Sequence, residues 1–282
     1  MVTVTNKGPK SRRVLITGAS GFIGGALFKN LLAIHPIGTQ FSSQQDIFGS
    51  QLVTVDLRNE LAVKALIERV QPSAVFHFAA LTSPRRNNMD PALANDSHVK
   101  VTYNILKALP ESAQIVYLST DKVFDGTYLD PDETVNPKPC CLYGELKLKC
   151  ENMIRQKLEK HHIVRLPIVH AFGDEDSNSF IDEAIKKLRQ NDQIAAFDNI
   201  SRCYLKLDEL IHFLSLLLEN TDYGTYHVGS KLMSYYQRIV NLCEENQILW
   251  RDKVLPTTGN VTPLSQSLST AKAEQLFNLK FS

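Results

Sequence analysis

The stretch LITGASGFIGGALFKNLL, from Leu15 to Leu32, restricts the fold more than any other part of this 282-residue chain. An apolar run breaks at Gly18, glycines recur at Gly21 and Gly24, and an amphipathic helical pattern follows. The start of a helix exposes unpaired backbone N–H groups and a partial positive charge. A diphosphate can be held there only where the backbone itself comes close. Gly18 permits the tight turn, Gly21 keeps side chains out of the approach, and Gly24 lets the helix pack against the strand. Strand, turn and helix in this order, in the first unit, predict a dinucleotide-binding corner that includes Ser20, Phe22 and Ile23. The other meaning of the same glycines is a turn with a close helix–sheet contact and no ligand.

The rest of the chain alternates in the same way. Strand candidates RVLITG (13–18), IGTQFSS (37–43), LVTVDL (52–57), SAVFHFAA (73–80), QIVYLST (114–120) and HIVRLPIV (162–169) are mostly continuous apolar runs. Strands buried on both faces look like this. Helical stripes lie between them: Ile23, Leu27, Leu31 and Ile34, then Leu61, Leu66, Ile67 and Val70. The pattern predicts an α/β fold, a Rossmann-like doubly wound parallel sheet with right-handed crossovers. Residues 12–169 are expected to form it. Residues 170–282 are expected to form mainly a smaller α/β substrate lobe, with segments returning to the main sheet. Residues 1–11 read as a disordered tail and lack the apolar core of a signal peptide.

Composition narrows the function by exclusion. A net charge of +1 gives no strong drive toward nucleic acid. No apolar run reaches about 18 residues, so no membrane span is expected. Five cysteines without a C-x-x-C pair suggest no metal site and fit a reducing cytoplasm. The pair His161-His162 reads as a solvated helix end, and Cys140-Cys141 as half-buried loop thiols.

The segment CLYGELKLK carries Tyr143 and Lys147, which share a helix face at i and i+4. An ammonium beside a phenol lowers its pKa from about 10 toward neutral, so that the phenol passes protons to or from a carbinol oxygen. Earlier, QIVYLST ends in Thr120. The carboxyl end of a parallel strand is where such sheets place ligands, and a hydroxyl there is suited to polarise a reacting carbonyl.

The glycine corner with Thr120, Tyr143 and Lys147, in this order, resembles the extended branch of the short-chain dehydrogenases/reductases. Residues 117–147, YLSTDKVFDGTYLDPDETVNPKPCCLYGELK, resemble more narrowly the nucleotide-sugar reductases that act on dTDP-4-keto-6-deoxy sugars. Asp121, Val123, Phe124, Asp125, Gly126, Glu133 and Pro139 fit that pattern, and similarity extends over nearly the whole chain. The resemblance implies Thr120, Tyr143 and Lys147 as catalytic residues and Asp121, Lys122, Val123 and Asn178 as substrate contacts. It also implies Asp56 and Leu57 beside the adenine and Ala79 and Ala80 along the cofactor channel. No acid ends the second strand, so Ser42 and Ser43 are expected to hold a 2′-phosphate. NADP is the expected cofactor, with NAD possible.

Lys122 follows Asp121 where dehydratases of this branch carry glutamate, which favours simple carbonyl reduction over elimination. Lys122 is also a candidate partner for a substrate phosphate. Lys122, Ile168, His98 and the stretch SRCYLK depart from the reductase pattern around the expected sugar pocket. A homodimer is expected from the resemblance. Two other functions remain open: a nucleotide-sugar epimerase, or a non-catalytic NADP-binding regulatory subunit resembling the methionine adenosyltransferase β subunit.

Overall fold

The computed structural model describes residues 12–42, 52–172, 180–261 and 263–282. Its strands are β1 (Val14–Thr17), β2 (Ile37–Gln40), β3 (Leu52–Thr54), β4 (Ala74–His77), β5 (Gln114–Thr120), β6 (His161–Leu166), β7 (Ile168–His170), β8 (Ile194–Phe197), β9 (Ser201–Arg202), β10 (Tyr204–Lys206), β11 (Gly224–His227), β12 (Met233–Ser234), β13 (Val254–Thr257) and β14 (Ser265–Gln266). Its helices are α1 (Phe22–Asn30), α2 (Glu60–Val70), α3 (Pro84–Met89), α4 (Pro91–Asn95), α5 (Val101–Ala108), α6 (Leu142–Lys157), α7 (Phe180–Arg189), α8 (Leu207–Leu217), α9 (Tyr235–Glu245) and α10 (Ala271–Phe277).

Seven strands pair in the order β11-β6-β5-β4-β1-β2-β3, all in parallel. Alternate residues enter opposite layers. Val14, Ile16, Phe76, Val116 and Val164 join the core under α1 and α8. Leu15, Val75, Ile115, Tyr117 and Ile163 join the core under α2, α5 and α6. Burial on both faces is the reason the strand sequences are apolar without interruption.

Gly18 adopts φ 69°, the left-handed region where a side chain is strained. A Cβ on Gly24 would lie 2.2 Å from the Gly18 carbonyl oxygen. Gly24, in α1, therefore lets the start of the helix close on the backbone just after β1.

Several boundaries differ from the sequence expectation. Helix α1 ends at Asn30 and a 3-10 turn follows, so Ile34 is exposed while Phe28 enters the core. Leu61 sits exposed on the first turn of α2, and Val63 takes its place inside. Pro167 divides the sixth candidate strand, because proline has no N–H for the ladder; β6 stays in the main sheet and β7 pairs with β10. His162 is fully buried in β6 rather than solvated, with its ring against Tyr223 and Tyr226.

Short pairings β7·β10, β8·β13 and β12·β9·β14 build the second lobe with α7 and α9, around Ile181, Ile185, Tyr204 and Ile239. Helix α8 and strand β11 return to the main sheet. Among the described residues, no helix is long and apolar enough to cross a membrane.

Candidate active site

A cavity of about 640 Å³ opens beyond the carboxyl ends of β1 and β4, where the strand order reverses. Its lining includes Gly18, Ser20, Gly21, Phe22, Ile23 and Gly24, the turn residues Asp56, Leu57, Ala79 and Ala80, and Tyr143 and Lys147 from α6. Gly21 caps α1 with no side-chain hydrogen bond, so an anion entering the corner meets backbone N–H groups. Size, glycine cradle and helix start together fit a dinucleotide.

Helix α6 is held by two devices. At Gly144, a Cβ would lie 2.1 Å from the Lys122 carbonyl oxygen, so glycine lets the start of the helix reach the turn after β5. Farther along, Glu151 accepts hydrogen bonds from Ser119 Oγ at 2.5 Å, Arg165 Nε at 3.0 Å, Arg165 Nη2 at 2.7 Å and Arg155 Nη2 at 2.8 Å. Tyr143, Lys147 and Glu151 thus form one stripe at i, i+4 and i+8, its last member bolted to β5 and β6.

Lys147 is buried. Its Nζ donates to the Leu118 carbonyl at 2.7 Å and stands 4.7 Å from the Tyr117 ring centroid and 5.9 Å from that of Tyr143. Burial pushes its pKa down to about 8. The expected lowering of the Tyr143 pKa does not occur: burial, then the nearby Asp121 and Cys141, raise it. In this enclosed site desolvation outweighs the neighbouring ammonium, and Tyr143 is held as the neutral phenol.

The other expected residues divide. Thr120 is buried just outside the cavity lining, where Ser119 takes its place. Its hydroxyl donates to Asp121 Oδ1 at 3.0 Å and accepts from Lys122 N at 3.2 Å. Lys122 Nζ donates to Gln266 Oε1 at 2.5 Å, and Gln266 Nε2 donates to the Asp121 and Phe124 carbonyls. The lysine therefore ties the turn to β14 and does not line the cavity. Val123 is enclosed with Phe124 and Leu268, a packing position. Ser42 is exposed beyond β2 and outside the lining. Ser43 and Asn178 lie outside the described residues.

The structure gives roles to further residues, of which His98 was named above only as a departure from the reductase pattern. His98 sits on a π-turn between α4 and α5, donates from Nε2 to the Leu81 carbonyl at 3.0 Å, and places its ring 5.6 Å from that of Tyr143. Below Lys147, His77 bridges Thr17 at 2.9 Å and Thr102 at 3.0 Å. Arg58, just after Asp56, also lines the cavity. Only Glu151 had a readable signal, the i+4 step from Lys147. No group of three or more side chains suited to hold a metal occurs among the described residues.

Comparison with known proteins shows the family and the fold. Residues 12–280 match the family described as RmlD substrate binding domain. The chain is 33% identical over 192 residues to methionine adenosyltransferase 2 subunit beta of Xenopus laevis, covering 67% of this chain and 56% of that protein. It thus spans little more than half the length of that relative. It is 26% identical over 287 residues to dTDP-4-dehydrorhamnose reductase of Escherichia coli (strain K12), covering 94% and 92% of the two chains. Among solved structures, dTDP-4-dehydrorhamnose reductase from Bacillus anthracis str. Ames in complex with NADP superposes with a TM-score of 0.80 at 22% identity, over 96% of this chain and 93% of that one.

Proposed function

The chain belongs to the RmlD substrate binding domain family, and on that premise we propose that it is an oxidoreductase using NADPH to reduce a keto group on a nucleotide-activated sugar, of the dTDP-4-keto-6-deoxy type. The observation that carries the reading is the presence of Tyr143 and Lys147 in the lining of the cavity that begins on the glycine corner. Bound over that corner, NADPH would supply the hydride.

The protein's own residues then have separate tasks. The glycine corner and the start of α1 hold the diphosphate. Tyr143 supplies the proton taken up by the new carbinol oxygen, and burial keeps its phenol in the protonated form that the reductive direction requires. Lys147, fixed by the Leu118 carbonyl, keeps positive charge beside the phenol and stabilises the phenolate left after transfer. Thr120 orients the substrate oxygen once its hydroxyl turns from Asp121.

Loss of reduced-nicotinamide absorbance on a panel of keto sugar nucleotides tests the reading. Tyr143→Phe is expected to lower kcat by ~10²–10⁴-fold while dinucleotide affinity stays within about threefold. Unchanged turnover in this variant removes the mechanism.

A second reading has its own support. Identity to the methionine adenosyltransferase subunit and a Thr120 hydroxyl committed to Asp121 fit a dinucleotide-binding regulatory subunit without turnover. Recovery of a stoichiometric enzyme partner, with no NADPH oxidation on any keto sugar nucleotide, would select it.

A further inference from the structure

The adenosine end of the cavity carries a cation that local sequence does not announce. No arginine follows β2 in sequence, and Ser42 stands outside the lining. The turn after β3 nevertheless brings Arg58 into the cavity wall together with Gln40 and Phe41. Its Cζ lies 5.1 Å from the Phe41 ring centroid. Its Nε and Nη2 grip the Asp56 carboxylate in a fork, with Nε 2.9 Å from Oδ1 and Nη2 2.8 Å from Oδ2.

This arrangement changes what the corner can bind. A free carboxylate here would repel a phosphate. Asp56 is instead neutralised by a bidentate ion pair. A guanidinium has five N–H donors, and the Asp56 fork engages Nε and Nη2, so its Nη1 edge points a separate pair of donors elsewhere. Phe41 on one side and Asp56 on the other bias the half-exposed head group toward one orientation, so less freedom is lost when an anion binds.

We infer that Arg58, held between Phe41 and Asp56, forms the subsite for the 2′-phosphate of NADP and sets the preference for NADP over NAD. The inference rests on the proposed dinucleotide site and deepens it. Asp56 orients the arginine, and the Nη1 edge of Arg58 makes the charge-assisted bonds to phosphate.

Isothermal titration without sugar substrate tests this, with NADP, NAD and 2′,5′-ADP as probes. The wild type should bind NADP more tightly than NAD and should bind 2′,5′-ADP. Arg58→Leu is expected to weaken NADP and 2′,5′-ADP by roughly tenfold or more, with NAD within about threefold. The dependence of NADP affinity on salt should flatten in this variant, and that of NAD should not change. Arg58→Lys, which keeps the charge without the fork, should fall between; it also serves if the leucine variant folds poorly. Equal weakening of NADP and NAD overturns the inference, since it means that Arg58 supports the adenine or the turn. An unchanged preference for NADP overturns it as well. A wild type that binds neither dinucleotide overturns the whole cofactor site.

Discussion

Glu151 and Arg238 are both charged, both buried and both on helices, yet their surroundings differ. Glu151, in the sheet half, receives donors from Ser119, Arg165 and Arg155. Arg165 continues the network to His227 Nε2 at 3.3 Å, and the His227 backbone N–H donates to Glu133 at 2.8 Å. Arg238, in the second lobe, donates to His170 Nε2 at 2.6 Å. Its Nε and the His170 Nδ1 are buried without hydrogen-bond partners among the described residues. Closed networks rigidify what they join, whereas partly satisfied ones cost free energy. The contrast is between two sites: the network that holds α6 at Glu151 is closed, and the one around Arg238 is not.

Glu151→Ala should break the comparison hardest. Removing Glu151 strands the buried Arg165 guanidinium and takes a partner from the half-buried Arg155, and a loss of about 3–5 kcal/mol is expected. Urea unfolding measures it, and a loss below about 1 kcal/mol would mean that the network does not secure α6.

An acid titration ranks next. Burial holds His77, His98 and His227 down to about 3, and His162 and His170 down to about 4. Below the ordinary histidine value the unfolded chain takes up protons that the native state refuses, so stability is lost as pH falls from about 6.5 toward 4. The expected slope is at least about 1.4 kcal/mol per pH unit, one proton's worth. Four of the five histidines lie in the sheet half, so His170→Phe should leave most of the slope in place. A flat profile from pH 6.5 to 5 would contradict neutral buried imidazoles.

Arg238→Met should have the smallest effect. Replacing a poorly paired buried charge by an apolar side chain is commonly neutral or stabilising. Thermal and urea unfolding should show stability unchanged or raised by about 1 kcal/mol. A loss like that of Glu151→Ala would show the two halves to be equally dependent on buried charge.

The sheet was legible because its signals are local. Apolar runs named six strands, and β5 matches its expected span, Gln114 to Thr120. Tyr143 and Lys147 were legible for the same reason, since one helical turn fixes their relation whatever surrounds them. The failures involve residues whose role depends on distant partners. Leu61 and Val63 exchange places according to which side of α2 meets the sheet, and His162 is buried because Tyr223 and Tyr226 arrive from a strand some sixty positions later. Val123 and Lys122 face Leu268 and β14 rather than the cavity. That arrangement depends on a C-terminal segment folding back over the turn after β5.

The sequence by itself determined a parallel α/β sheet, a glycine corner able to take a diphosphate, and a phenol and amine one turn apart. Each follows from backbone sterics and periodicity acting over a few residues. Tertiary structure alone decided the direction of the Tyr143 pKa shift, the closure of the Glu151 network and the entry of Arg58 into the cavity wall. Desolvation and ion pairing depend on which groups meet in space, and the chain brings those groups together from far apart.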